Sequence, residues 1–348
     1  MTDLIEKNRL FRGIASGIAV SMLIVFVTIY LPVLGLFMAV ILPMPILYFR
    51  LKLGRNPGAL IMLAVFLITF AVIQLFLGDT IGTPEFASSM TEADVRFSIS
   101  IDMLFYGLLL MTGFFLGEFI ERRIPIEKSF VYTLISTVGI CSAAFFLYAE
   151  ITGQDILALV AGYISENLKL TLTLYQNMGM SQEHIRLISD SIEAIQYVLI
   201  RMLPAIVTTL LSFVIWVNIL SIKKILNKKG IHLAEIESLN QWKAPEHLVW
   251  VVIFLGLIMF LPGKGIKIVA FNFIMIIMPV YFFQGIAIIS FIFEKKKLPP
   301  LLKVAIYSII AIQQILVLAI VGLGFFDTWM NFRKIGIIND SDGQSFDG

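Results

Sequence analysis

Cysteine is almost absent: Cys141 is the single thiol in 348 residues. One thiol forms no internal disulfide, and it supplies too few ligands for a structural zinc site. The three histidines, His184, His232 and His247, are scattered, with no HExxH or comparable metal spacing. Charge is scarce as well. Asp, Glu, Lys and Arg make up 14% of the residues, against about a quarter in soluble domains. The formal net charge of +2 does not suggest nucleic acid as a partner. Catalytic signatures are missing too. Gly263-Lys264-Gly265 lacks the GxxxxGK[ST] spacing of a phosphate-binding loop, and there is no GxSxG, no paired intramembrane Asp and no Ser/His/Asp set. The expectation is a protein that is not an enzyme, with no catalytic residue, metal or cofactor.

What the chain has in abundance is apolar sequence. Hydrophobic residues make up 59% and the mean hydropathy is +0.93. A bias this large along the whole length means that lipid solvates most of the chain. The expected fold is all-α: a polytopic transmembrane helical bundle of about nine spans, eight if two neighbouring segments form one re-entrant hairpin. The spans fall at roughly 13–30, 32–49, 57–77, 100–119, 129–149, 198–220, 247–262, 267–293 and 300–326. Pro32 divides the first two, Pro262-Gly263-Lys264-Gly265 the seventh and eighth, and Lys297-Leu298-Pro299-Pro300 precedes the last. The first apolar run, Gly13 to about Phe49, is far longer than the core of a signal peptide, so the first helix is expected to stay in the protein.

Charge placement orients the spans. With the N-terminus cytoplasmic, segments 1–12, 50–56, 120–128, 221–246 and 294–299 all lie inside, and they hold most of the chain's 26 Lys and Arg. Segment 78–98 lies outside and is acidic, with Asp79, Glu85, Glu92 and Asp94 against Arg96 alone. Every second loop is basic, as the positive-inside rule requires. The expectation is a multi-pass membrane protein with its N-terminus in the cytoplasm. Residues 1–149 hold spans one to five and 198–334 hold spans six to nine. Residues 150–197 form an external amphipathic helical hairpin: Leu157, Ala161, Ile164, Leu168, Leu172 and Tyr175 make one stripe, and Ile185, Ile188, Ile192, Ile195 and Leu199 another. The hairpin is read as lying on the outer membrane surface or capping the bundle, or else as a lid over an external cavity. The polar tail 335–348 reads as disordered.

Polar side chains inside a membrane are costly and therefore functional candidates. Arg201, one turn into the sixth span and just before Pro204, is a candidate for an anionic solute or for snorkelling, with Asp102 a possible counter-ion. Asn272, Tyr281 and Gln284 of the eighth span and Gln313 of the ninth could line a groove for a small-molecule solute, or serve as packing glue between helices. Gly13 with Gly17, and Ala15 with Ala19, let a backbone approach closely, within the chain or against a membrane or cytoplasmic protein partner. Asp327, Trp329 and Arg333 read as membrane-interface anchors, with Asp327 and Arg333 able to pair across the turn. Glu118, Glu121, Arg122 and Arg123 read as anchors at the other end of the fourth span.

Two stretches carry a family resemblance. The first is Leu42-Pro43-Met44-Pro45-Ile46-Leu47-Tyr48-Phe49-Arg50 with Gly54 and Gly58. The second holds Ala244-Pro245, Trp250, Asn272, Tyr281, Gln284-Gly285, Gly324-Phe325-Phe326-Asp327-Thr328-Trp329 and Phe332-Arg333-Lys334. Together they resemble the YybS-like family of bacterial polytopic membrane proteins, a domain family of unknown function. That family is distantly similar to the substrate-binding S components of energy-coupling-factor transporters. The resemblance implies solute binding or transport, and a partner meeting the Ala15–Ala19 face of the first helix. The extra C-terminal spans and the external hairpin depart from that pattern. A membrane scaffold or assembly factor without a small ligand is the alternative.

Overall fold

Proline sets several helix starts. Pro32, Pro43 and Pro300 each open a helix, where the missing N–H is no loss because the first turn has no partner for it. The computed structural model describes residues 2–80, 92–153, 155–228, 239 and 242–333, and among these there is helix and no strand. In chain order the helices are α1 Thr2–Tyr30, α2 Pro32–Ile41, α3 Pro43–Leu53, α4 Arg55–Thr80, α5 Glu92–Glu121 and α6 Ile126–Thr152. They continue as α7 Ile156–Asn177, α8 Gln182–Lys228, α9 His247–Ile258, α10 Lys264–Lys295, α11 Pro300–Ile312 and α12 Gln314–Met330. The acidic outer segment and the polar tail 335–348 expected from the sequence fall largely or wholly outside the described residues.

Among the described residues, seven helical segments are long and apolar enough to cross a membrane: Glu6–Tyr30, Val33–Leu53, Arg55–Leu75, Ile99–Glu121, Ile126–Thr152, Gln182–Asn227 and Lys264–Lys295. An eighth is reached if α11 and α12 count together, although they meet at 104°. The lower of the two expected counts is therefore the one supported. The expected ninth span, 300–326, is broken at Gln313, whose backbone is extended (φ −94°, ψ 105°). The expected seventh survives as α9, which has 12 residues. At 1.5 Å per residue that is about 18 Å, against about 30 Å of hydrocarbon.

The helical hairpin is present, with Asp155 capping α7 by accepting a hydrogen bond from the Leu157 N–H at 2.8 Å. Gln196 Nε2 donates to the Ala161 carbonyl at 2.9 Å and ties the two arms. Its second arm is not a separate helix, however. It is continuous with the sixth span through Pro204, as the 47-residue α8. That helix is about 70 Å long, more than twice the hydrocarbon thickness.

The chain forms two compact units, 1–203 with 211–235, and 204–210 with 236–348. In the first unit α3 lies against α1, α4 and α5. Leu42, Ile46, Leu47, Ile61 and Leu116 are fully buried there. Glycine permits the contacts: a Cβ on Gly113 would collide with the Pro43 carbonyl, and one on Gly58 would lie 2.8 Å from Arg50 Cβ. Asn218 of α8 donates to the Val40 carbonyl of α2 at 2.8 Å. In the second unit α10 packs antiparallel to α12: Gly285 meets the Ile320 backbone and Gly324 the Tyr281 backbone. Thr209 Oγ1 donates to the Met275 carbonyl at 2.9 Å.

These contacts separate two kinds of glycine. Gly113→Ala is expected to lower the thermal unfolding midpoint in detergent, with an overpacking cost of about 1–3 kcal/mol. Gly139 of α6 has nothing within 4 Å of where a Cβ would sit. Gly139→Ala is expected to leave the midpoint unchanged or raise it, because alanine is the better helix former by about 1 kcal/mol.

Candidate functional site

Polar groups or open space gather at several places among the described residues. The first is a cavity of about 740 Å³ in the first unit, between α4, α5 and α6. Phe66, Leu67 and Phe70 of α4, Met103, Gly107 and Met111 of α5, and Ile140, Cys141, Ala144 and Phe145 of α6 form its apolar wall. Gln74, Ser100, Tyr148 and Thr152 collect towards one end. The size falls within the range of small-molecule sites, and an apolar wall with a few polar groups at one end suits an amphipathic organic molecule. Gly107 keeps the floor open, since its missing Cβ would lie 3.4 Å from the Phe66 ring.

The second is a charge cluster where α3 meets the last turns of α5. The Arg50 side chain is 1% exposed. Its guanidinium pairs with Glu118, lies 3.1 Å from Glu121, donates from Nε to the Phe114 carbonyl at 3.1 Å, and sits 4.7 Å from the Phe114 ring. Glu118 also accepts from Arg122 Nε at 2.8 Å, and Arg55 approaches it at 3.5 Å. Arg50 Nη1 has no hydrogen-bond partner among the described residues. Gly58 and Gly117 give the Arg50 stem its slot: Cβ atoms there would fall 2.8 Å from Arg50 Cβ and Cδ. Arg55 and Arg122 are mostly exposed, so the pair that fixes the helices is Arg50 with Glu118.

The third lies in the second unit, where α10, the end of α12 and the strap before α9 meet. Asp327 accepts from Arg333 Nη2 at 2.8 Å, from Gln284 Nε2 at 3.1 Å and from the Phe332 N–H at 2.8 Å. Both charged side chains are 0% exposed. Arg333 Nη1 donates to the Trp242 carbonyl at 2.9 Å, and the Ala244 N–H donates to Gln284 Oε1 at 3.1 Å. Lys243 adds a bond to Asn331 at 3.0 Å. The local cause is Asn331, whose left-handed backbone (φ 40°, ψ 59°) ends α12 and turns Arg333 back to Asp327. One carboxylate thus secures the helix end, the strap and α10.

The candidates drawn from the sequence fall in different surroundings. Gln284 is inside this network, and Tyr281 is fully buried one turn before it, edge-on to Phe325 at 5.2 Å. Asn272 donates back to the Ile268 carbonyl of its own helix at 2.8 Å. Gln313 is exposed at the corner between α11 and α12. Arg201 is in the first unit; it is exposed, stacked 3.5 Å over the Tyr197 ring and donates to the Tyr197 carbonyl at 3.1 Å. Asp102 is not its counter-ion: no ion pair of Asp102 occurs among the described residues, and its charge instead falls near Tyr106 and Tyr163. Burial, then the Asp102 charge, push the Tyr163 hydroxyl up from its ordinary range. Asp327 and Arg333 are buried partners and not headgroup anchors, because each satisfies the other out of water. Trp329 between them is half exposed. Gly13 and Gly17 close on Leu53, Ile61 and Phe49 of the same chain, whereas Ala15 and Ala19 face outward.

Two features escaped the reading of the sequence. Arg50 counts there as one more basic loop residue, although Gly113 and Gly117 before Glu118 were a signal for a close partner. The cavity left only a faint trace in Gly107 and Ala144.

Breaking one partner of the Asp327–Arg333 pair strands a buried charge. Asp327→Asn or Arg333→Gln is therefore expected to cost about 3–5 kcal/mol, read from unfolding of the purified protein in mixed micelles. Asp327→Leu combined with Arg333→Met is expected to recover part of that loss.

Comparison with known proteins adds one relation. No curated protein and no solved structure gives a match. The family described as "Predicted membrane protein (DUF2232)" matches residues 19–82 and 95–328, most of the chain and nearly every helix described above. The chain is an integral membrane protein with several apolar spans, and it belongs to the DUF2232 family.

Proposed function

We propose that this protein is a solute-binding component of membrane transport, seated in a bacterial cytoplasmic membrane with its N-terminus inside. The cavity between α4, α5 and α6 carries the reading. By the charge of the loops, the end of the cavity with Gln74, Ser100 and Thr152 faces outward. The solute class that suits it is a small amphipathic organic molecule, its apolar body among Phe66, Met103 and Phe145 and its polar end at that rim. This moves the binding residues away from Arg201, Asn272, Tyr281, Gln284 and Gln313. The likeness to the YybS-like family and to energy-coupling-factor S components agrees with such a role. In that scheme an energy-supplying partner would meet the outward Ala15–Ala19 face of α1.

A scaffold role is the second reading, and one observation favours it. Leu170, Leu174, Met178 and Leu187 stand exposed on the hairpin of α7 and the first part of α8. Apolar groups in water commonly mark a protein contact.

Native mass spectrometry of the gently purified chain tests the two together. The expected result is a stoichiometric small organic molecule whose affinity falls about tenfold or more in Ala144→Trp, which fills the cavity, in line with overpacking costs of about 1–3 kcal/mol. A protein partner lost on Leu174→Glu with Met178→Glu, and no small molecule, would transfer the assignment to the scaffold.

A further inference from the structure

A second opening lies at the other end of the first unit, where α1 and α3 diverge. The cleft measures about 990 Å³ and is lined on α1 by Glu6, Asn8, Arg9, Leu10, Arg12, Gly13 and Ser16, and on α3 by Tyr48, Phe49, Lys52 and Leu53. Three bases face a single acid. Glu6, Arg9, Gly13 and Ser16 recur at three- and four-residue steps, so they share one side of α1. Lys52 is held over aromatic surface, its Nζ 5.8 Å from the Tyr48 ring centre and 6.0 Å from that of Phe49. The floor is Gly13, the point of closest approach, where a Cβ would lie 2.9 Å from Leu53 Cδ1. Beyond the basic rim the surface turns apolar, with Leu23 and Phe26 exposed along α1.

We infer that this cleft holds the headgroup of an anionic phospholipid from the cytoplasmic leaflet. The loops at this end are basic, which sets it on the cytoplasmic side, where the leaflet carries negative lipid. Arg9, Arg12 and Lys52 supply charge for the phosphate, and the neighbouring apolar groups of α1 run alongside the acyl chains. A basic pocket between helices on that side matches headgroup chemistry. A free phosphate would gain nothing from the apolar part of the wall. The lipid fixes the relative position of α1 and α3 at their cytoplasmic ends. This inference stands apart from the solute reading, since the two openings share no residue.

The test uses the full-length chain, delipidated in detergent and titrated with phosphatidylglycerol, phosphatidylcholine or inorganic phosphate under native mass spectrometry. The cleft variant is Arg9→Gln, Arg12→Gln and Lys52→Gln together. The control is Lys295→Gln, Lys296→Gln and Lys297→Gln, three bases of a basic loop that do not line the cleft. All three cleft bases are exposed, so the fold is expected to persist, checked by an unchanged unfolding midpoint. Phosphatidylglycerol binding is expected to weaken by roughly fivefold per base removed in the cleft variant and to hold in the control. Equal loss in both variants, equal binding of phosphatidylcholine, or equally tight binding of inorganic phosphate would overturn the inference.

Discussion

The bundle depends on backbone touching backbone at glycine. In lipid no water is released when two apolar helices meet, so association rests on dispersion contacts and on polar pairs between helices. The first requires close approach, and this chain obtains it at Gly113 against Pro43, Gly285 against Ile320 and Gly324 against Tyr281. The polar pairs then form beside those contacts. Arg50 reaches Glu118 one turn from Gly113 and beside Gly117, and Gln284 reaches Asp327 next to the Gly285 and Gly324 contacts. Glycine and buried charge are coupled: without the small residue, the helices would stand too far apart for the side chains to meet.

The two charged clusters serve packing, each in its own unit. Arg50 joins α3 to α5, and Asp327 with Arg333 joins α12 to the strap at Trp242 and Ala244. Removing charge from water is expensive, and a buried pair often adds less stability than apolar packing would. What such pairs add is selectivity among arrangements, because any other register leaves a charge unsatisfied. For apolar helices that can slide against one another in lipid, that selectivity is the scarcer property.

Much of the architecture was legible in the sequence because hydropathy acts locally. A run of about 20 apolar residues is helical in lipid whatever surrounds it. The failures share a cause: each depended on what a residue meets. Gln313 looks the same within a straight helix or at a corner, and only the 104° bend between α11 and α12 decides. Asp327 and Arg333 at a helix end have the pattern of headgroup anchors, and the turn at Asn331 buries them instead. Gln284 was noticed as unusual, but its partners come from 40 and 43 residues away. The cavity was not legible, since no local pattern marks an unfilled volume between three apolar walls.

The length of α8 has a mechanical consequence. A helix is stiff over tens of ångströms, and here one shaft runs from the membrane span into the hairpin with no loop between them. A twist of the span about its axis therefore turns the hairpin with it. The single interruption in the hydrogen-bond ladder of that shaft is Pro204, which has no N–H to give to the Ile200 carbonyl. Bending costs least at that residue, so it is the natural elbow between the hairpin arm and the apolar span that continues it.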